Sequence, residues 1–217
     1  MGHVVRDAGW CVIDIDTTAG RVFLQQGWKY DWKTKGAVTA WTLKEKRRFH
    51  KRADDTIWAA WSNRARLSVS GTSGFAKKFG RRGLPNNLDI RWVLTSPHWN
   101  VQVTKIAPGA FERSEVKWKI RKILLDTNDF DKRVHCAGPA KKQVCHSQVP
   151  LAHEFGHAVG NTWVLKRGDE YKSGSSHLAD KGSMLNSGST LRSRHFRTVI
   201  EQLNKMIPNT TFKVRSL

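Results

Sequence analysis

The spacing of apolar and polar residues divides the chain into strands and helices before any single residue is considered. Residues 4–15 and 21–28 read as β, with Ala19-Gly20 as a turn between them. Over 42–63 the period changes: Phe49, Ala53, Ile57, Ala60 and Trp61 recur at steps of three and four, while Lys44, Lys46, Arg47, Lys51 and Arg52 fall mainly elsewhere. That pattern predicts an amphipathic helix with a basic outer face. Residues 66–70, 88–94 and 99–106 read as strands separated by Gly/Pro/Asn-rich turns. Over 114–125, Val116, Trp118 and Ile120 alternate with Lys117, Lys119 and Arg121, which predicts a half-buried strand with a basic face. A helix begins near Pro150, and a last one spans about 193–206 with Phe196, Val199, Ile200 and Leu203 on its apolar side. The expected class is α+β: a mixed twisted sheet, a long helix in the N-terminal half, a central helix and a C-terminal helix. A single domain is expected over 1–217, with 1–147 mostly sheet plus the long helix and 148–217 a smaller subdomain.

Charge narrows the partners. With 38 Lys+Arg against 18 Asp+Glu, the net charge is +20, which implies a polyanion or an acidic partner nearby. Basic clusters lie at 44–52, Lys77-Lys78 with Arg81-Arg82, 117–122, Lys141-Lys142 and 192–197. Nucleic acid, phospholipid headgroups and acidic envelope polymers all fit, and charge alone does not choose between them. No run approaches a transmembrane length, and no secretory signal is expected at the N-terminus. Cys136 and Cys145 bracket a short Gly/Pro/Lys segment that could close as a disulfide, remain as two thiols or, with His135 and His146, form a second metal site. Cys11 reads as a buried small hydrophobe. Of the ten tryptophans, Trp58, Trp61, Trp92 and Trp118 read as core; Trp28 and Trp32 could line a cleft, with core the simpler reading.

The chemistry concentrates in His153-Glu154-Phe155-Gly156-His157. Histidines four apart on a helix share a face and can both reach one Zn²⁺, and Glu154 is placed to take a proton from a water there. Apolar Leu151, Phe155, Ala158 and Val159 fit a helix buried in an enzyme core. Ordinary surface or core histidines are the bland alternative. Zinc in a hydrolase takes three protein ligands and leaves a position for water, so a third ligand is expected downstream.

The stretch from His153 to Gly160 resembles the metzincin pattern HExxHxxG, in which the glycine turns the chain back to bring a third ligand to the metal. It departs at the ligand position itself, which is Trp163. Gly168-Asp169-Glu170-Tyr171 resembles the Asp-Glu-Tyr of a group of bacterial metzincin-like peptidases, including toxin or effector domains. Ser183-Met184-Leu185-Asn186 resembles their Met-turn with sulfur and leucine exchanged, and Arg192-Ser193-Arg194-His195-Phe196 resembles the basic segment that follows. The resemblance covers about 151–207. It implies a zincin-like fold, a Zn²⁺ cofactor and peptide hydrolysis. His153 and His157 would be ligands and Glu154 the general base. The third ligand would be Asp169, then His177, then Glu170, with residues 163–168 an insertion. Tyr171 or His195 would stabilise the oxyanion, and substrate would lie along an edge strand, with 114–125 the candidate.

The resulting expectation is a monomeric zinc endopeptidase, secreted or delivered to a cell envelope or periplasm as a toxin or effector. Its substrate would be a protein or peptide, and an immunity or inhibitor protein would be a further partner. Two alternatives remain. One is a nucleic-acid-associated SprT-like metalloprotease, although the chain has no CxxC pair to make a zinc ribbon. The other is a non-enzymatic polyanion-binding module with a structural HExxH.

Overall fold

A computed structural model describes residues 2–139 and 142–217. Lys141 of the Lys141-Lys142 pair lies outside the described residues. The chain is α+β, with a mixed sheet and, among the described residues, four α-helices.

Strand β3 (Arg21–Thr34) organises the sheet because its 14 residues are long enough to serve different neighbours at its two ends. Its first half pairs antiparallel with β2 (Val12–Asp16), which in turn pairs with β1 (His3–Asp7). Parallel β5 (Leu84–Trp92) lies along the other edge, and the second half pairs parallel with β6 (Trp99–Lys105), Trp28 opposite Trp99. Beyond β5 come β4 (Ala65–Gly71) and β11 (Thr210–Ser216), both antiparallel. Beyond β6 come parallel β8 (Lys122–Asp126) and, at the sheet margin, antiparallel β7 (Glu115–Lys117). A separate hairpin of β9 (Arg133–Ala137) and β10 (Val144–Gln148) is closed by a Cys136–Cys145 disulfide across directly opposed positions. Of the three cysteine readings, the disulfide is the one present; Cys11 is fully buried, and burial pushes its thiol up.

Helix α1 (Leu43–Trp61) starts where Thr42 and Glu45 cap each other: Thr42 Oγ1 accepts from the Glu45 amide at 3.2 Å, and Glu45 Oε2 accepts from the Thr42 amide at 2.8 Å. It buries Phe49, Ala53, Ile57 and Trp61, the predicted stripe apart from half-buried Ala60. Short α2 (Gly74–Phe79) has no counterpart in the sequence reading. Helix α3 (Pro150–Ala158) carries the HExxH, and α4 (Arg197–Leu203) follows a 3-10 turn at Ser193–Phe196, so the predicted last helix is shorter and begins tighter. Trp61 Nε1 donates to the Ala152 carbonyl at 3.0 Å, and Gln26 Nε2 donates to the Ala158 carbonyl at 2.7 Å. Buried side-chain bonds thus pin α3 to α1 near its start and to β3 at its end. The hydrophobic core is continuous through sheet, α1, α3 and α4.

Two readings of the pattern are corrected. Residues 114–125 do not form one strand. A 3-10 turn at Trp118–Ile120 and left-handed Arg121 (φ 51°) fold the segment into the β7–β8 hairpin, leaving Trp118 buried but Ile120 64% exposed. The alternation was real only up to Trp118. Trp58 is 46% exposed rather than core, because the stripe around Trp61 is narrow and Trp58 falls on its shoulder. Trp61 and Trp28 are buried, whereas Trp32 and Trp92 are half-buried in one aromatic group with Tyr30.

Candidate metal centre

Pro150 occupies the first turn of α3, where its missing N–H is no loss, and the Leu151 amide reaches the Asp129 carbonyl at 3.1 Å. One turn apart, His153 and His157 then face the same side. Gly156 lies between them because the helix is crowded there: a Cβ at this position would sit 2.6 Å from Leu185 Cδ2 and 3.0 Å from Trp61 Cζ2. The Ser183-Met184-Leu185-Asn186 turn is thus pressed against the helix beneath the histidines, with Met184 and Leu185 both buried.

Past α3 the chain reverses at Gly160, whose φ of +101° favours glycine and whose missing side chain admits Thr198. Thr162 caps a 3-10 turn at Trp163–Leu165, and the chain returns to place Asp169 over the histidines. Asp169 Oδ1 lies 3.2 Å from His153 Nε2 and 3.0 Å from His157 Nε2, and the two Nε2 atoms are 3.1 Å apart. Glu154 offers a carboxylate oxygen within 4.8 Å of a ring nitrogen of each histidine, and its Oε2 is buried without a hydrogen-bond partner among the described residues.

Each ring's other nitrogen fixes what this convergence means. His153 Nδ1 is 2.8 Å from the Met184 carbonyl, and His157 Nδ1 is 2.5 Å from the Asn161 carbonyl. A carbonyl only accepts, so both Nδ1 atoms carry hydrogen, and in a neutral ring Nε2 presents a lone pair. Two such lone pairs and a carboxylate oxygen then meet within 3.2 Å, an arrangement that repels itself unless a cation or proton lies between them. Titration has the same polarity. Burial disfavours charge on His157, but hydrogen bonding to Asp169 and the charge of Glu154 outweigh it and raise the ring to about 9. Asp169, also opposed by burial, is held far below the usual carboxylate range by His153 and His157. A tetrahedral zinc site with bonds of ~2.0–2.1 Å separates its ligand atoms by about 3.3 Å, close to the observed spacings. His153, His157 and Asp169 could therefore hold a metal ion, and the residues fit zinc in both donor type and spacing.

The other candidates for third ligand are turned away. Glu170 is clamped by the Arg194 guanidinium at 2.6 and 2.8 Å, with His195 at 3.4 Å; against the effect of burial, these partners keep its carboxyl well below the usual range. His177 is an exposed loop residue whose carbonyl accepts from Asn186 Nδ2 at 3.4 Å. Trp163, at the ligand position of the resembled pattern, is 76% exposed. His195 is buried behind the site, 3.1 Å from Ser183 Oγ and accepting from the Arg192 amide, so it braces the turn rather than facing the cleft. Arg192 and Arg194 pair with Asp180 and Glu170, and the charge of that basic segment is largely spent inside the molecule. Tyr171 does reach the site. Its ring lies 6.3 Å from that of His153, and burial together with the charge of Asp169 pushes its hydroxyl up to about 12.

Two arms of a cleft meet at Glu154 and Tyr171, and the segment before β7 forms one wall of both. That wall is anchored by two buried carboxyls the sequence reading did not single out. Asp126 Oδ2 accepts from the Glu112 amide at 3.0 Å, and Asp129 Oδ1 accepts from Ser114 Oγ at 2.5 Å. Burial and the charge of Asp126 raise Asp129 to about 7. The nearest sequence signal was the Asp-rich stretch at 126–131, which resembles an ordinary turn. No protein-family model matches this chain, and no curated protein or solved structure is detectably similar to it.

Proposed function

We propose that the protein is a zinc-dependent endopeptidase of zincin-like architecture, in the metzincin-like branch. The observation that carries this reading is the convergence of two Nδ1-anchored histidines and Asp169 beside a buried carboxylate oxygen that has no partner. Zinc bound there would supply a Lewis acid for the scissile carbonyl and lower the pKa of water. Glu154 takes the proton of the attacking water and delivers it to the leaving amine. Tyr171, protonated at neutral pH, donates a hydrogen bond to the developing oxyanion. Substrate lies extended along β7, which among the described residues pairs only with β8 and so keeps backbone groups open on its other edge. A disulfide on an exposed hairpin suits an oxidising compartment, and a net charge of +20 suits an anionic envelope surface. Both support a secreted or delivered toxin or effector, for which an immunity protein would be the natural inhibitor.

The decisive experiment replaces Glu154 by Gln in zinc-loaded protein. Peptide hydrolysis should fall by about 10²–10⁴-fold while zinc stays bound. Undiminished hydrolysis in that variant would remove the proposal. The exposed basic face of α1, with Arg47, Arg48, Lys51 and Arg52, favours the SprT-like alternative as a second reading. That reading requires salt-dependent DNA binding and cleavage stimulated by DNA.

A further inference from the structure

The two arms of the cleft differ in size and charge. The arm toward β9 encloses about 470 Å³ and the arm toward the Trp163–Leu165 turn about 110 Å³. Phe111, Arg113, Arg133 and His135 line the larger arm, and Glu154 is the only carboxylate among its described residues. Arg113 is exposed and has no carboxylate partner among the described residues. Arg133 is oriented from two sides: its guanidinium lies 4.5 Å from the centre of the Phe111 ring and 3.6 Å from Asp129 Oδ1. Phe111 is itself 62% exposed, an apolar surface beside Arg133. The narrower arm shares Arg113 and Glu154 but adds Glu115 and Asp169 opposite Lys172, so the unbalanced positive charge lies toward Arg133 in the larger arm.

We propose that the larger arm is a subsite for a carboxylate-bearing side chain. The preferred substrate is then a peptide with a glutamate or aspartate on the side of the scissile bond that faces β9. The inference rests on the peptidase reading and specifies its substrate class. Guanidinium groups bind carboxylates through paired, charge-assisted hydrogen bonds, and Arg133 is held in place before a ligand arrives. The Phe111 ring covers the methylene stem of the incoming side chain. A lysine or arginine in the same arm would face two guanidinium groups, of which only Arg133 has a carboxyl beside it, the buried Asp129 behind the wall, so basic residues are rejected there.

The test uses zinc-loaded Glu154→Gln protein, which should bind substrate without consuming it. Fluorescein-labelled eight-residue peptides carrying Glu, Gln or Lys at each position in turn are titrated by fluorescence anisotropy. At one position Glu should bind about tenfold more tightly than Gln, and Lys more weakly than either. Adding Arg113→Glu, which breaks no ion pair, should abolish the Glu preference and improve Lys. Arg133→Gln should weaken the preference, and Arg47→Glu/Arg48→Glu on α1 should leave it intact. Equal binding of Glu and Gln at every position overturns the inference, as does a preference lost equally in the α1 variant, which would mark it as general attraction to a basic protein. Because binding is read without turnover, these outcomes are separate from the hydrolysis test. Absent wild-type cleavage with an intact, Arg113-dependent preference would sink the peptidase reading and leave the subsite standing.

Discussion

Replacing Asp169 by Ala tests the construction of the site most directly, because the sequence leaves the third ligand open and the fold brings Asp169 to the two histidines. Asp169 contributes one corner of a triangle with edges of 3.0, 3.1 and 3.2 Å. Losing a group that merely orients a metal ligand lowers affinity by about 10–100-fold, so losing a ligand should lower it by at least about 100-fold. Thermal unfolding converts that figure into a shift. With free zinc at about 100 times the wild-type Kd, binding stabilises the native protein by about 2.7 kcal/mol, whereas a variant with its Kd raised to that concentration gains only about 0.4 kcal/mol. The difference of about 2.3 kcal/mol corresponds to roughly 5–9 °C of zinc-induced Tm increase for a domain of this size. The zinc-induced increment is the quantity to compare, since Asp169→Ala also removes the contacts to the histidines and Lys172 in the metal-free protein. Competition against a chromogenic chelator measures the affinities themselves. His177→Ala should stay within about threefold of wild type. Glu170→Gln should lower Tm with and without zinc alike, because it loosens the Arg194 clamp. The reasoning fails if Asp169→Ala keeps near-wild-type zinc affinity while His177→Ala or Glu170→Gln loses it.

Other perturbations probe the supports. Gly156→Ala improves helix propensity by up to about 1 kcal/mol, but its Cβ meets buried Leu185 and Trp61, and overpacking of about 1–3 kcal/mol should win; a Tm equal to or above wild type would show that the Met184-Leu185 turn yields freely. Asp54 is raised to about 7 by burial and by its hydrogen bond to Asp89. Since the folded pKa exceeds the unfolded one, its stabilising contribution is complete below about pH 4 and is lost as pH climbs through 7. Asp54→Asn should therefore raise Tm relative to wild type at pH 8 and match it or fall below at pH 5; the opposite order would exclude strain from a buried charge. Replacing Cys136 and Cys145 together by Ser opens a loop of separation 9, worth at most about 2.6 kcal/mol in chain entropy. Because β9 and β10 form a sheet of their own, hydrogen exchange should accelerate there while the β3–β6 core is unchanged, and uniform acceleration would contradict that picture.

Legibility in the sequence followed the range of the interactions. Helix α1 was readable because its apolar stripe is local, and α3 because the HExxH spacing and Pro150 are local too. Residues 114–125 misled because alternation reports which way side chains point, not where a chain turns; left-handed Arg121 and the partner strand β8 decide that. Strands β9 and β10 carry little apolar signal because they are short and largely exposed, and β11 because it buries only Thr210 and Phe212; cross-strand pairing and, in the hairpin, the disulfide give them their form.

By itself the sequence determined an α+β chain of strong positive charge with two histidines and a glutamate on one helix face, since helical periodicity and ionisation are properties of near neighbours. Only the tertiary structure decided that Asp169 completes the triangle. Across residues 163–168 the chain has many possible paths, and the one taken depends on the Gly160 reversal packed against Thr198 and on Arg194 drawing Glu170 away. Likewise, the basic segment at 192–197 reads as surface charge in one dimension. In three, Arg192 and Arg194 are anchors behind the site, because the carboxylates they neutralise are 12 to 24 residues away in sequence.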